Sequence, residues 1–347
     1  MDDKEKLRKQ RQKRRKQRLL LLLLLLFGTG TLLTTSTYAW FTSNKNVSVE
    51  ALDVNIAAKN GIQISADGTN WKAIVQKSDL LGAKKSGIYT GAVNQLPETL
   101  EPVSTAGVPD TVGRLPMYYG VIETSETQAN NGKYILTATK EEDKDDNARV
   151  EGEASGKYIA FDLFFKVNTE TAVFLTGGSG VKSNDARDKG IKNASRIAFV
   201  NLGNKPDGTA LADIQGMNAG AASVVTLWEQ NYDVHTPSGV AQAKDVYGID
   251  TVENGGTLIP YKGLINTITK VEDILQSDSS DDTKFKAVTP TITTKENFTD
   301  DTALFTLPAG ITKIRIYMWV EGQDVDCENN ASGGSIKFDL KITTNAE

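Results

Sequence analysis

Residues 158–165 (YIAFDLFF) form the most apolar run beyond the N-terminal segment, and this run decides the fold class. It lies within a predicted strand over residues 157–167. Short apolar runs bounded by turn residues are typical of buried strands. No stretch beyond residue 40 has the period of a long amphipathic helix. We therefore predict an all-β protein with residues 158–165 in a central strand.

The rest of the chain is consistent with this class, because short β-type runs alternate with turn clusters. A hairpin is predicted with its turn at Asp67 and Gly68. Further strands are predicted over residues 62–64, 71–75, 133–139, 171–176, 311–320 and 336–342, and two short helices over residues 223–232 and 264–276. Many short strands with frequent turns favour a jelly-roll-like antiparallel β-sandwich with long loops, here one domain over residues 40–347.

The N-terminus has the layout of an export signal. Residues 4–18 carry ten Lys and Arg, eight leucines follow from Leu19 to Leu26, and a segment of Gly, Thr and Ser leads to Ala39 and Trp40. The basic block favours the cytoplasmic side and the leucines favour hydrocarbon. We predict a signal peptide over residues 1–39, which a signal peptidase cleaves between Ala39 and Trp40.

The alternative is an uncleaved membrane anchor over residues 19–41, which is long enough to span a bilayer. Both interpretations place residue 40 onward outside the cell or on its surface. Both also limit membrane contact to the N-terminal segment.

Charge divides the chain into two unlike parts. Of the 39 Lys and Arg, ten lie in residues 1–39, and of the 44 Asp and Glu, three do, which leaves 29 and 41 and a net charge of −12 beyond residue 39. Nucleic acids and anionic membrane surfaces attract basic patches. We therefore expect no nucleic-acid partner, no required cofactor, and at most a loosely bound divalent cation.

The chain has one cysteine, Cys327, so its fold cannot depend on an intramolecular disulfide. Stability has to come from a packed core instead. We expect Cys327 to be a small buried side chain, and the alternative is a disulfide between two subunits.

Catalytic motifs are not evident, and the sequence predicts a protein that is not an enzyme. His235 is the single histidine, so a zinc site of the His-Glu-x-x-His type is excluded. No Gly-x-Ser-x-Gly turn accompanies it. We expect His235 to lie in a surface loop.

One acidic segment has the spacing that begins a calcium-binding loop. Asp324, Asp326 and Glu328 alternate, but Asn329 and Ser335 stand where an EF-hand needs Gly and Glu. An EF-hand is excluded, and the three acids are weak candidates for an irregular cation site. The alternative is a solvated acidic loop.

The leader boundary resembles that of the TasA/camelysin family of proteins exported by Gram-positive bacteria. The resemblance rests on residues 28–42 and above all on Thr37-Tyr38-Ala39-Trp40-Phe41. It implies export through a SipW-type signal peptidase, a jelly-roll fold and self-association into filaments of an extracellular or biofilm matrix. The basic segment and the mature chain are both longer than is usual in that family.

In such fibres the N-terminal strand of one subunit completes the sheet of the next, and residues 40–56 are the corresponding segment here. The alternating side chains of this candidate donor strand are Val47, Val49, Leu52, Val54 and Ile56. An extended segment freed by cleavage can pair with an open sheet edge, and head-to-tail pairing that does not close makes filaments. The alternative is pairing within its own domain.

The expected function is therefore that of a secreted structural subunit of a fibre. One alternative is a membrane-tethered adhesin or glycan-binding module that uses exposed aromatic residues. Its candidates are Trp71, Trp228, Tyr118 and Tyr119, although each is also a candidate core residue. A second alternative is a secreted hydrolase that uses carboxylates of the acidic loops.

Overall fold

A computed structural model describes residues 47–49, 56–57, 61–124, 134–141, 156–176, 178–183, 190–230, 235–241, 262–269, 282–293, 303–327 and 335–344. The predicted signal peptide, the predicted anchor over residues 19–41, Leu52, Val54 and Glu328 lie outside these residues.

Within the described residues the chain is mostly β. Ten strands precede residue 176: β1 (Val47–Val49), β2 (Ile56–Ala57), β3 (Gln63–Ser65), β4 (Ile74–Val75), β5 (Asn94–Gln95), β6 (Thr99–Leu100), β7 (Tyr118–Thr124), β8 (Tyr134–Lys140), β9 (Ile159–Val167) and β10 (Thr171–Leu175). Ten follow: β11 (Gly180–Lys182), β12 (Ser195–Lys205), β13 (Val224–Glu229), β14 (Lys262–Leu264), β15 (Phe285–Ala287), β16 (Ile292–Thr293), β17 (Phe305–Leu307), β18 (Gly310–Val320), β19 (Ser335–Asp339) and β20 (Ile342–Thr343). Two helices (Lys77–Lys85, Leu211–Gln215), a further helical run over residues 237–241 and a 3-10 turn (Gly220–Ala222) join them.

A seven-stranded sheet is the largest unit of the fold. Its order is β16-β13-β12-β18-β9-β3, and β5 also pairs with β9. The strands β12 and β18 are eleven residues long and pair antiparallel, with a bulge between Asn201 and Gly203. The predicted central strand is confirmed, because β9 lies between β18 and β3 and is buried along almost its whole length.

One face of this sheet packs against a second β-layer. That layer comprises the sheets β11-β19-β1-β6 and β17-β10-β20. Apolar side chains from both layers form one buried cluster, which includes Phe161, Leu163, Ile316, Phe338 and Ile342. Two packed, mainly antiparallel β-layers make a sandwich-like fold, as the sequence predicts.

Loops and short helices cover the other face of the large sheet. Tyr158, Tyr317 and Trp319 pack there with Val103 and Leu115 of the segment before β7. Because both faces are covered, every residue of β18 is buried. This accounts for an apolar run with few polar positions, as expected for a strand with two buried faces.

The predicted helix over residues 223–232 is wrong, because residues 224–229 form β13. This strand pairs antiparallel with β12 and parallel with β16. The β-branched residues Val224, Val225 and Thr226 favour an extended backbone. Leu227 and Trp228 then enter the cores on opposite faces of the sheet.

The predicted helix over residues 264–276 is wrong at its start. Leu264 ends β14, and its N–H donates to Ser104 Oγ at 3.1 Å. Ile268 exchanges backbone hydrogen bonds with Ala138. Because these backbone groups bond to other chain segments, they cannot form helical bonds; residues 270–281 lie outside the described part.

The helix Lys77–Lys85 was not predicted. Its first turn is stabilised by Asp79, whose carboxylate accepts the N–H of Gln76 at 3.0 Å. A side chain of the first helical turn that accepts the N–H of the residue before the helix caps the helix start. None of the helices in the described ranges is long and apolar enough to cross a bilayer.

The predicted turn at Asp67 and Gly68 is confirmed. The Asp67 carboxylate accepts the N–H groups of Thr69 and Asn70, both at 2.8 Å. Gly68 has φ +81°, a conformation that glycine adopts most readily. The predicted strands over residues 133–139, 171–176 and 311–320 are confirmed as β8, β10 and β18, and the last predicted run as β19 and β20.

Candidate functional site

The N-terminal strand β1 lies inside a sheet rather than at its edge. It pairs parallel with β19, near the C-terminus, and antiparallel with β6. Ser48 is thus opposite both Ser335 and Thr99. In this structure residues 47–49 pair within their own chain, which is the alternative to strand donation.

The strands beside β1 belong to the main core. Leu100 of β6 and Ile336 of β19 are both fully buried. Removal of β1 would leave the inner edges of β6 and β19 without their partner strand. Unpaired strand edges of this kind tend to recruit other strands.

A buried charge cluster lies where the loops after β13 and β18 meet the start of β12. At its centre Arg196 Nη2 is 2.6 Å from Glu229 Oε1 and also contacts Asp324 Oδ2. Its Nη1 donates to the carbonyl oxygens of Asn193 and Ser195 at 2.7 and 3.2 Å. Arg196 and Glu229 are 0 % and 2 % exposed, so this ion pair is shielded from water.

Asp326 connects three chain segments in this cluster. Its Oδ2 is 3.0 Å from His235 Nδ1 and accepts Asn193 Nδ2 at 3.1 Å. Its Oδ1 accepts the backbone N–H and the hydroxyl of Thr236 at 2.9 and 2.7 Å. The carboxylate therefore orients the imidazole ring through Nδ1.

A further buried acid, Glu321, joins the cluster. It accepts Trp319 Nε1 at 3.0 Å and the N–H of Gln323 at 3.1 Å. Burial raises the pKa of Glu321 to about 7, against these hydrogen bonds. Burial also raises the pKa of Glu229 to about 8, against the attraction of Arg196.

The pKa of His235 is raised as well, although burial acts on this group in the opposite direction. Burial opposes its protonation, but the hydrogen bond to Asp326 and the nearby carboxylates of Asp324 and Glu229 outweigh burial and raise its pKa. The cluster as a whole favours positive charge at the imidazole position.

These observations correct two predictions. His235 does not lie in a surface loop, because it is 6 % exposed and hydrogen-bonded to Asp326. Asp324 and Asp326 are buried rather than solvated, at 6 % and 0 % exposure. Cys327 is buried, as expected.

Asp162 is the centre of a second charge cluster, on the face of the large sheet that loops and helices cover. It accepts Arg315 Nε at 2.6 Å and Arg315 Nη2 at 3.1 Å, and Tyr89 OH at 2.7 Å. Lys313 Nζ is 3.5 Å away and donates to the carbonyl of Gln215 at 2.7 Å. Burial opposes ionisation of Asp162, but Arg315 and Lys313 outweigh it and lower its pKa to about 2.

The aromatic residues proposed for a binding face are largely in the interior. Trp228 and Tyr118 are 1 % and 6 % exposed. Trp71 and Tyr119 are partly buried, and a lysine ammonium lies over each ring, Lys166 at 5.7 Å and Lys157 at 4.2 Å.

A mainly apolar cavity of about 330 Å³ lies beside Tyr118. Its walls come from the segment before β7 and from β14 and β15, and include Val108, Pro109, Leu264 and Lys286. This volume suits a small ligand.

Comparisons with family models, with curated proteins and with solved structures found no match to this chain.

Sequence reasoning missed Arg196, Glu229, Asp162 and Arg315 as buried charges. A signal for them exists, because Asp162 and Arg315 each interrupt an apolar strand. Charged residues are almost never fully buried unless they are paired. Charges of opposite sign within two apolar strands therefore predict a buried ion pair.

Proposed function

We propose that the protein is a secreted structural subunit of an extracellular fibre, assembled by donation of residues 40–56 from one subunit to the next. The observation that supports this most is the interior position of β1 between β6 and β19. A strand near a predicted cleavage site fills a position that an identical strand from another copy can also fill. The export signal and the implied jelly-roll fold belong to the same proposal.

The backbone pairing of β1 supports exchange on energetic grounds. β1 is three residues long and is held by two register pairs on each side. Short pairings are weak individually, and a neighbouring copy offers the same backbone hydrogen bonds. Because the donating and accepting surfaces differ, repeated exchange makes a chain of subunits that does not close on itself.

Cysteine cross-linking distinguishes donation from pairing within one chain. Ser48 and Thr99 are opposite each other on β1 and β6, and opposite residues lie within the Cα separation that a disulfide needs. We would mix the mature variants Ser48→Cys and Thr99→Cys, both with Cys327→Ser, under filament-forming conditions and oxidise them. Donation predicts a covalent dimer that joins one copy of each variant.

The matched control pairs Ser48→Cys with Val224→Cys, because Val224 is 67 % exposed and lies on β13, away from β1 in the pairing. This mixture should stay monomeric on a denaturing gel. If only the double variant Ser48→Cys/Thr99→Cys cross-links, and only within one chain, residues 47–49 do not exchange and the donation proposal fails.

The mature N-terminus tests the export step. Cleavage between Ala39 and Trp40 predicts that the secreted protein begins at Trp40, which mass spectrometry of the intact protein can measure. A chain that retains residues 19–41 at the cell surface would instead favour the tethered binding module, for which the cavity beside Tyr118 is the candidate ligand site.

A further inference from the structure

The cluster around His235 contains a buried nitrogen that no hydrogen bond satisfies. Nδ1 faces Asp326, whereas Nε2 has no hydrogen-bond partner among the described residues. The side chain of His235 is only 2 % exposed. A buried polar atom without a hydrogen-bond partner is energetically costly. A ligand bound at Nε2 would remove this cost.

Glu229 presents a second such atom. Its Oε1 pairs with Arg196, but its Oε2 is buried without a hydrogen-bond partner in the described part of the chain. A buried carboxylate oxygen attracts a cation more strongly than a neutral donor. Both unpartnered atoms belong to the same cluster.

The formal charges of the cluster do not balance when all four of its acids are ionised, a state that burial opposes by raising the pKa of Glu229 and Glu321 and that a bound cation would favour. It contains four carboxylates, those of Glu229, Glu321, Asp324 and Asp326, all at most 6 % exposed. The cations among its described residues are Arg196 and, when protonated, His235. Buried charge without compensation is strongly unfavourable, and a divalent cation would bring the cluster close to neutrality.

The geometry suits a metal ion. His235, Asp324 and Asp326 each offer one ligand atom, and these atoms lie within 4.8 Å of one another. A histidine that binds metal through one nitrogen commonly donates the other N–H to a carboxylate, which fixes the ring. The contact from Nδ1 to Asp326 has this form and leaves the Nε2 lone pair for a metal.

The backbone packs closely against the Asp326 carboxylate at two glycines. A Cβ added to Gly239 would lie 2.4 Å from Asp326 Oδ1, and one added to Gly190 would lie 3.2 Å from the same oxygen. Two chain segments, the bend at Gly190 and the helical run over residues 237–241, therefore approach this carboxylate as only glycine allows. The surroundings of the imidazole are thus held in place by the fold.

We propose that this cluster binds one divalent metal ion of the zinc class, through His235 Nε2 and a carboxylate oxygen of Asp324, with Asp326 orienting the ring through Nδ1. An imidazole combined with carboxylates favours zinc-like ions, whereas calcium takes oxygen ligands alone. Bound there, the ion joins the loop after β13 to the loop after β18.

The single histidine of the chain makes the test direct. The probe is Zn²⁺ added to the mature chain, expressed without a histidine tag, stripped with a chelator and labelled with ¹⁵N-histidine. We expect one Zn²⁺ per chain by titration calorimetry and a shift of the Nε2 resonance alone. We also expect the melting temperature to rise by about 5–10 °C at a free concentration 100-fold above the dissociation constant.

Two variants localise the site. His235→Gln should weaken Zn²⁺ binding at least 100-fold, whereas Asp207→Asn should leave it unchanged, because Asp207 is an exposed acid paired with Lys166. An unmoved imidazole signal on Zn²⁺ addition, or a shift at Nδ1 alone, overturns the proposal. So does Zn²⁺ binding that His235→Gln leaves intact, since the ion would then lie at surface acids. The assay uses monomers, so its result is independent of fibre assembly.

Discussion

At the scale of single residues, Asp162 shows how a buried charge stabilises this fold. It is fully enclosed and accepts two hydrogen bonds from Arg315 on the neighbouring strand. Because loss of one member of a buried pair leaves the other charge uncompensated, Asp162→Asn should reduce the free energy of unfolding by about 3–5 kcal/mol. Urea denaturation monitored by tryptophan fluorescence measures this.

The matched control is Asp207→Asn, which breaks an exposed pair with Lys166 and should cost less than about 1 kcal/mol. A similar small cost for Asp162→Asn would contradict the role assigned to the buried pair.

Asp162 also predicts a pH dependence. Its pKa in the folded protein is lowered to about 2 from its ordinary value of 3.8. The stability that it contributes is therefore complete above about pH 4 and is lost as the pH falls toward 2. The stability difference between wild type and Asp162→Asn should shrink over this range, and it should stay constant between pH 5 and 7.

Glu321 predicts a pH dependence of opposite sign. Burial raises its folded pKa to about 7 from 4.5, so the folded state binds the proton more tightly than the unfolded state. Stability is then greatest below about pH 4.5 and falls by roughly 3 kcal/mol as the pH rises through 7. Glu321→Gln should reduce this slope in urea denaturation with chelator present and leave the part that comes from Glu229, whereas Glu101→Gln, at a partly exposed pair with Lys157, should retain the whole slope.

At the scale of elements, the start of β18 depends on one glycine. Gly310 has φ +111°, and a Cβ there would lie 2.4 Å from the carbonyl oxygen of Lys205 at the end of β12. Gly310→Ala should therefore lower the free energy of unfolding by more than the about 1–2 kcal/mol that backbone strain alone would cost.

Gly61→Ala is the matched control for this element, because Gly61 has φ +94° and open space around its Cα. The difference between the two variants in thermal unfolding isolates the contact with Lys205. Equal destabilisation would show that this contact does not limit the β12–β18 pairing.

The strand β13 is an element whose type the local sequence pattern does not predict correctly. Residues 223–232 contain Leu, Trp, Glu and Gln, which are compatible with a short helix, but the chain pairs them along β12. Strand preference depends on packing against neighbouring strands more than on intrinsic propensity. By contrast, β9 and β18 were predictable because long apolar runs with β-branched and aromatic residues are buried wherever they pair.

At the scale of the whole molecule, strand donation predicts a chain terminator. A mature chain that begins at residue 58 lacks β1 and β2 but keeps β6 and β19, so it can accept a donor strand and cannot donate one. A substoichiometric amount added to the intact mature protein should shorten the filaments seen by electron microscopy.

The control for this experiment is the same truncated chain incubated first with a synthetic peptide of residues 40–57. The peptide fills the position of β1, so termination should disappear. Filaments of unchanged length in the presence of the open truncated chain would contradict assembly through this position.

The sequence by itself determined the β class, the positions of the long strands and the turn at Asp67, because these follow from local apolar runs and turn residues. Only the tertiary structure decided that β1 lies between β6 and β19, and that His235 meets Asp326 across 91 residues and Arg315 meets Asp162 across 153. Strand register and the burial of charges depend on which distant segments pack together. The pKa values depend on burial together with neighbouring charges, and so the charge clusters emerge only when the two β-layers and their loops have assembled.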